Sequence, residues 1–392
     1  MAQPKDFGYG MEEQLLVTEA KKFFKKYNDE LKLMELVGSN PDPHRKPECL
    51  WDRNTWKKMT ELGWSTLAVP REAGGEGMQA VTVAALMEEA GRAGLPSPLL
   101  STVNSTYVLC ACKTPRAMEF LKKIAENQTA TLAVTNRKGS WESKDTDVTA
   151  VFSGQDAILN GSAWYVQDPG KSDFFIVSAS TEKGPGLYAV LADAPGVTIV
   201  PDSILDLTRD QAHILFKDVK ITKEAILAEP GKGDMVLDGA MPAILTMLSA
   251  DMCGAGEWQL QTTAEYARTR VQFDRPIGFF QAVKHPIVNM MIMIDCARSH
   301  MFNAACALDH EPDQAPVFAR MAKASASDMA GFCSGRSVQY HGGMGFTWEC
   351  FVQLYFKRQI HSQVLYGDGR YHRAKLADVF IGPVPSGSPS QQ

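Results

Sequence analysis

The chain predicts an α+β fold of three blocks: an N-terminal α-helical domain, a central β-barrel or sandwich, and a C-terminal four-helix bundle. Two observations predict it. Apolar residues recur at helical spacing to about residue 127 and again after about residue 231. Between these stretches the pattern changes to short β-branched or aromatic runs separated by turns. The expected blocks are residues 1–127, 128–230 and 231–382, with a Pro/Ser-rich tail at 383–392 expected to be disordered.

In the first block Leu15, Leu16, Phe23, Phe24 and Tyr27 recur at helical spacing with lysines between them. A second helix at 51–62 stops at Gly63, and a third at 81–90 is expected to end at Gly91 and Gly94. Pro96 and Pro98 punctuate the route into a helix at 99–112. Strand-like runs follow at 131–134, 148–152, 157–159, 174–177, 187–191, 197–200 and 213–216. Asn160-Gly161 has the composition of a tight hairpin turn. Segments 235–270, 281–308, 316–340 and 351–366 have the lengths of bundle helices.

The bulk numbers exclude several classes. A formal net charge of −5 lacks the basic excess of a nucleic-acid binder. No apolar run is expected to span a bilayer, and the N-terminus lacks the apolar core of a secretory signal. The 8 cysteines form no C-x-x-C pair, so no metal site is expected, and reduced, mostly buried thiols in a cytoplasmic protein are. The run 290–293, rich in methionine, is expected to fill a helix core.

Two stretches carry chemistry. Residues 266–281 read Tyr-Ala-Arg-Thr-Arg-Val-Gln-Phe-Asp-Arg-Pro-Ile-Gly-Phe-Phe-Gln, and residues 339–346 read Gln-Tyr-His-Gly-Gly-Met-Gly-Phe. Arginines near backbone without Cβ atoms suit a diphosphate. Taken alone, the same residues also describe a solvated face and a helix stop. Together they resemble the flavin-binding signatures of the acyl-CoA dehydrogenase family. Residues 56–77 and 159–168 resemble that family's N-terminal helix with its following loop and its central β segment, so the resemblance covers nearly the whole chain.

The resemblance implies FAD shared across a subunit interface. It places Arg270, Phe273 and Gln281 on the dinucleotide, and Gln339, Gly342 and Gly343 against the adenosine diphosphate. Asp274 stands where the family has glycine and is expected to pair with Arg275. In the β block Val134-Thr135 is kept, with Thr135 on the flavin side, but Asn136-Arg-Lys-Gly-Ser140 replaces the family's usual acidic loop. The flavin-facing Trp-x-Thr becomes Tyr165 and Gln167. An aromatic can still stack on the ring, and the hydroxyl that the resemblance implies near flavin N5 becomes an amide, which can still donate a hydrogen bond.

The resemblance also implies α,β-desaturation of an acyl-CoA, which needs a carboxylate to take the α-proton. The family's two positions for that Glu fall on Tyr366 and near Ile244, and neither is a carboxylate. Asp368, in a Gly-flanked turn, is the nearest replacement, and its other reading is a turn residue bonded to its own backbone. Asp251 is a further acid. The forms of residues 341–349, 355–358 and 367–373 resemble the bacterial branch that degrades steroids and cyclic or aromatic acids. The implied function is dehydrogenation of a bulky or cyclic acyl-CoA, with electrons passed to an electron-transfer flavoprotein. The implied assembly is a homotetramer or homodimer. The alternatives are a non-catalytic partner in a heteromer with a second dehydrogenase-like subunit, or non-standard acyl-CoA chemistry on this fold.

Overall fold

The computed structural model describes residues 8–40, 42 and 46–382, so the tail expected to be disordered lies outside the described residues. Six helices come first: α1 (Met11–Tyr27), α2 (Glu30–Gly38), α3 (Arg53–Glu61), α4 (Ala80–Arg92), α5 (Leu99–Cys112) and α6 (Pro115–Ala125). Their ends follow local chemistry. Asp29 and Asp52 cap α2 and α3 by accepting backbone N–H groups, and Thr114 caps α6 with Pro115 in its first turn. Gly63, at φ 71°, follows α3.

Eight strands make two four-stranded sheets. One runs in the order β1 (Ala130–Ala133), β4 (Phe174–Ala179), β5 (Gly186–Leu191), β8 (Ile226–Ala228). The other runs β2 (Val148–Ser153), β3 (Asp156–Gln167), β7 (Gln211–Ile221), β6 (Val197–Pro201). All neighbours pair antiparallel except β1 and β4. Strand β4 explains why the first sheet reads as an unbroken apolar run. Phe175 and Val177 enter the core shared with the second sheet, while Phe174 and Ile176 enter the core shared with the helices.

Asn160-Gly161 is not a turn. It lies inside β3, at a register shift against β7, with Gly161 at φ +123°. A Cβ there would stand 2.2 Å from the carbonyl oxygen of Asp147, so glycine answers to a bulge and a close crossing. The β2–β3 hairpin turns between Ser153 and Asp156 instead.

The bundle consists of α7 (Gly233–Thr269), α8 (Gln281–His310) and α9 (Ala315–His341), with α10 (Val352–Val364) and α11 (Gly369–Phe380) both packed on α9. Contrary to expectation, α7 is long and apolar enough by composition to cross a bilayer. Most of it is buried inside the protein, so its apolarity is that of a core helix packed on every side. Gly91 does not stop α4 either. A Cβ at Gly91 would meet the Asp251 carbonyl at 2.0 Å, and one at Gly254 would meet the Glu88 carbonyl at 1.7 Å. These two glycines let α4 and α7 cross backbone to backbone. Of the run 290–293 Met290 lies in the core and Met293 packs against it, while Met291 and Ile292 are exposed. All eight cysteines are free, and only four of them are buried.

Candidate active site and dinucleotide face

One end of the bundle gathers the expected dinucleotide residues. Arg270 is the C-cap of α7, its N–H bonded to the Tyr266 carbonyl at 2.9 Å. A two-residue hairpin follows, pairing β9 (Val271–Gln272) with β10 (Arg275–Pro276). Its loop residues Phe273 and Asp274 sit at φ 54° and 60°, a turn that normally takes Asn or Gly. The Phe273 ring stands out in solvent, 85% exposed. Arg275 lies over the Phe279 ring at 4.3 Å and forms no ion pair with Asp274 among the described residues, which corrects the expected pairing.

The Tyr340 hydroxyl donates to the Ala282 carbonyl, and Tyr266 stacks on His341 at 4.4 Å. These contacts bring the end of α7, the start of α8 and the end of α9 together. Gln281 opens α8, Gln339 lies in the last turn of α9, and Gly342 is its C-cap at φ +60°. Arg270, Gln281, Gln339, Gly342 and Gly343 are exposed, and a Cβ at either glycine would meet nothing within 4 Å. An unpaired guanidinium, two amides and bare backbone on one open face fit the diphosphate half of FAD.

The flavin-side residues lie on the β block. The backbone N–H of Trp164 donates to the Thr135 carbonyl at 2.9 Å, which sets residues 165–167 beside the end of β1. Gln167 is buried, and its Oε1 has no hydrogen-bond partner among the described residues. A flavin edge carries N–H groups that would satisfy such an acceptor, so this half also fits the cofactor. Tyr165 is less free than expected. Its hydroxyl donates to the Arg137 carbonyl at 3.1 Å, and its ring lies 3.7 Å from where a Gly139 Cβ would be.

The loop 136–147 acts as a strap across the seam between the β block and the bundle. Arg137 N–H donates to Asp147 and Ser140 N–H to Asn136, which fix its shape. Ser143 bonds Asp238 on α7. Glu142 Oε1 accepts from the Tyr371 hydroxyl at 2.9 Å and pairs with Lys375 at 2.6 Å, both on α11. Under the strap lies a cleft lined by Thr135, Trp141, Glu142, Ile244 and Tyr366, among others. Trp141 and Tyr366 meet there, ring centroids 5.1 Å apart. The space left is ≈ 20 Å³, room for roughly one water.

The cleft therefore joins Ile244 and Tyr366, the two positions at which the resemblance led us to expect a base, with a carboxylate that sequence reasoning missed, Glu142. Glu142 has no local signal, because its partners on α11 lie more than two hundred residues away. Lys375 and then Tyr371 hold its pKa below the usual glutamate value, so it is ionised at neutral pH. Burial pushes the Tyr366 phenol up to about 12, which rules it out as a base near pH 7. Asp368 does not line the cleft. It is exposed and caps α11, its Oδ1 accepting the Tyr371 N–H at 2.8 Å. A helix start beginning with Gly369 leaves four N–H groups to satisfy, and the nearest carboxylate takes that role. Asp251 is likewise committed. It is buried between Arg209, at 2.7 Å, and Arg358, in a cluster that ties the β6–β7 loop to α7 and α10.

Residues 12–127 match the model of the acyl-CoA dehydrogenase N-terminal domain, and residues 245–380 match that of the C-terminal domain. The chain is 30% identical over 336 residues to acyl-CoA dehydrogenase IpdE2 of Mycobacterium tuberculosis, covering 83% of this chain and 89% of that one. Among solved structures, a single-residue variant of the Tcur3481-Tcur3483 steroid ACAD superposes with a TM-score of 0.83 at 25% identity, covering 94% of this chain and 98% of that one. The ChsE4-ChsE5 complex from Mycobacterium tuberculosis gives 0.85 at 23% identity, covering 97% and 100%.

Proposed function

The chain belongs to the acyl-CoA dehydrogenase family, and from that premise we propose that it introduces an α,β double bond into a bulky or cyclic acyl-CoA and passes the electrons to an electron-transfer flavoprotein. Its cofactor is FAD. Similarity to a steroid-acting relative supports the substrate class. One juxtaposition carries the reading: Thr135, Glu142, Ile244 and Tyr366 line a single cleft, so an ionised carboxylate stands among the positions where the family places its base. Tyr371 and Lys375 both engage Glu142 Oε1, and Oε2 is the oxygen that would take the α-proton. Arg270, Gln281, Gln339, Gly342 and Gly343 would hold the diphosphate half of a neighbour's FAD, and Thr135 and Gln167 the ring edge. When bound, the flavin supplies the hydride acceptor for the β-carbon. Trp141 must leave Tyr366 before an acyl thioester can enter.

That last requirement favours a second reading. Trp141 fills the cleft, and Glu142 is anchored to α11 by a cation that lowers its affinity for a proton. A chain built this way would serve as the non-catalytic partner of a heteromer, lending its bundle end to FAD on a second subunit that carries the base. The name of the steroid-acting relative joins two proteins, which is in keeping with such a pairing.

The experiment purifies the chain alone, records its flavin spectrum and adds a panel of acyl-CoAs to the parent and to Glu142→Gln. Bleaching in the parent, slowed in the variant by about the 10²–10⁴ of general-base loss, supports the first reading. FAD binding or bleaching that appears only after a second dehydrogenase-like subunit is added supports the other. Absence of FAD from every assembly overturns both.

A further inference from the structure

The amide of Gln167 is oriented from the surface inward by groups that have no choice. The Asp202 carboxylate can only accept. His213 Nδ1 lies 3.0 Å from its Oδ1, and Gln211 Nε2 donates to its Oδ2 at 3.0 Å. Trp164 stacks flat on the His213 ring at 4.4 Å and keeps that end still. Because Gln211 spends its NH₂ on Asp202, its Oε1 must accept, and it does so from Gln167 Nε2 at 3.0 Å. The same Nε2 also donates to the Tyr165 carbonyl at 3.0 Å. Both N–H groups of Gln167 are therefore used. Its Oε1 is left buried and without a partner among the described residues, in a residue only 9% exposed. A buried carbonyl with no donor is costly unless a ligand supplies one.

We propose that Gln167 presents this carbonyl oxygen, and not its amide N–H, to the N5 edge of the flavin, with Asp202 and Gln211 as positioning residues. The inference rests on the FAD reading above and on neither account of the base. It reverses the expectation that the amide donates. Oxidised N5 carries no hydrogen and reduced N5 carries one. An acceptor at that edge therefore favours the reduced ring and raises its midpoint potential.

The test measures the two-electron midpoint potential of the bound flavin, in the assembly that holds FAD, for the parent, Gln167→Leu and Asp202→Asn. Leucine removes the acceptor without a large change of volume. Asparagine at 202 can donate to Gln211, so both amides can turn over and Gln167 can offer an N–H instead. Both variants should lose about tenfold in preference for the reduced ring, a fall of about 30 mV for this couple. The flavin absorption band, read separately, should shift in both and confirm that the ring still sits beside residue 167. Unchanged potentials in both variants, or a rise in Gln167→Leu, overturn the inference while the FAD reading stands. A parent that holds no FAD in any assembly overturns both.

Discussion

The Trp141 indole lies against the Tyr366 ring, centroids 5.1 Å apart and planes inclined by 49°. Tyr366 occupies the family's base position, at φ 55° in the turn between α10 and α11, and Trp141 belongs to the strap. The pair fills the cleft that also holds Glu142 and Ile244. Trp141→Ala should cost about 0.5–1.5 kcal/mol for the ring pair, plus the lost apolar burial. It should also bind a non-reactive CoA thioether more tightly than the parent, which must first move the ring aside. Isothermal titration checks this, and equal affinity for both proteins would show that the pair is no barrier.

The α4–α7 crossing gives a second expectation. A methyl at Gly254 would stand 1.7 Å from a backbone carbonyl, and backbone cannot yield as a side-chain tip can. Gly254→Ala should cost at least the 1–3 kcal/mol typical of overpacking and lower the melting temperature measurably. Gly239, with nothing near its missing Cβ, is the control: Gly239→Ala on the same helix should leave stability equal or higher.

How much of this was legible before the structure depended on the range of the signal. Helix and strand periods are local, so the three blocks and most elements could be read directly. Asn160-Gly161 misled because a bulge and a hairpin ask for the same residues, and only the neighbouring Asp147 carbonyl decides between them. The residues expected on the dinucleotide sit in two short runs, and the structure brings those bundle ends onto one exposed face. The roles proposed for Glu142 and Gln167 were not readable. One is defined by Lys375 and Tyr371, the other by Gln211 and Asp202, and such pairings leave no trace in spacing. Asp368 carried two readings, and the helix that starts immediately after it selects the one bonded to backbone.

The buried cluster predicts a large effect from one substitution. Arg358 pairs with Asp251 and donates to Thr208 at 2.8 Å, with almost no exposure. Its removal leaves Asp251 with Arg209 alone. Arg358→Met should cost on the order of 3–5 kcal/mol, the scale for stranding a buried charge. Urea unfolding of the parent, Arg358→Met, Asp251→Asn and the double variant checks this. The double variant should lose less than the sum of the singles.

Arg270 should matter for cofactor and hardly at all for folding, because it is exposed and makes no ion pair among the described residues. Arg270→Ala should weaken FAD binding by about 1.5–3 kcal/mol, the worth of a charged hydrogen bond, with an unchanged melting temperature for the flavin-free protein. Flavin fluorescence titration measures the first and calorimetry the second. A stability loss without a loss of FAD affinity would reverse the assignment.

Lys323 predicts a pH dependence with a definite sign. Its ammonium is buried and donates to Ser327 Oγ at 3.0 Å and to the carbonyls of Gln363 and Gly367 at 2.9 and 2.8 Å, pinning the turn that holds Tyr366. Burial lowers its pKa to about 7, with Asp368 opposing. In the unfolded chain the value is about 10.4. Between those values the unfolded state holds a proton that the native state does not, so this residue makes stability rise with pH. Its contribution is complete above the unfolded value and is lost as pH falls towards 7. Cys112 and Cys333, pushed up to about 12 by burial, act with the opposite sign at alkaline pH, so the parent's own profile is a mixture. The difference between parent and Lys323→Met isolates the lysine, since the variant keeps both cysteines and leaves the same carbonyls unpaired at every pH. Urea midpoints taken from pH 6.5 to 9.5 should give a difference that moves steadily in the parent's favour as pH rises. A flat difference would mean that the lysine stays charged across this window and is held by its three acceptors.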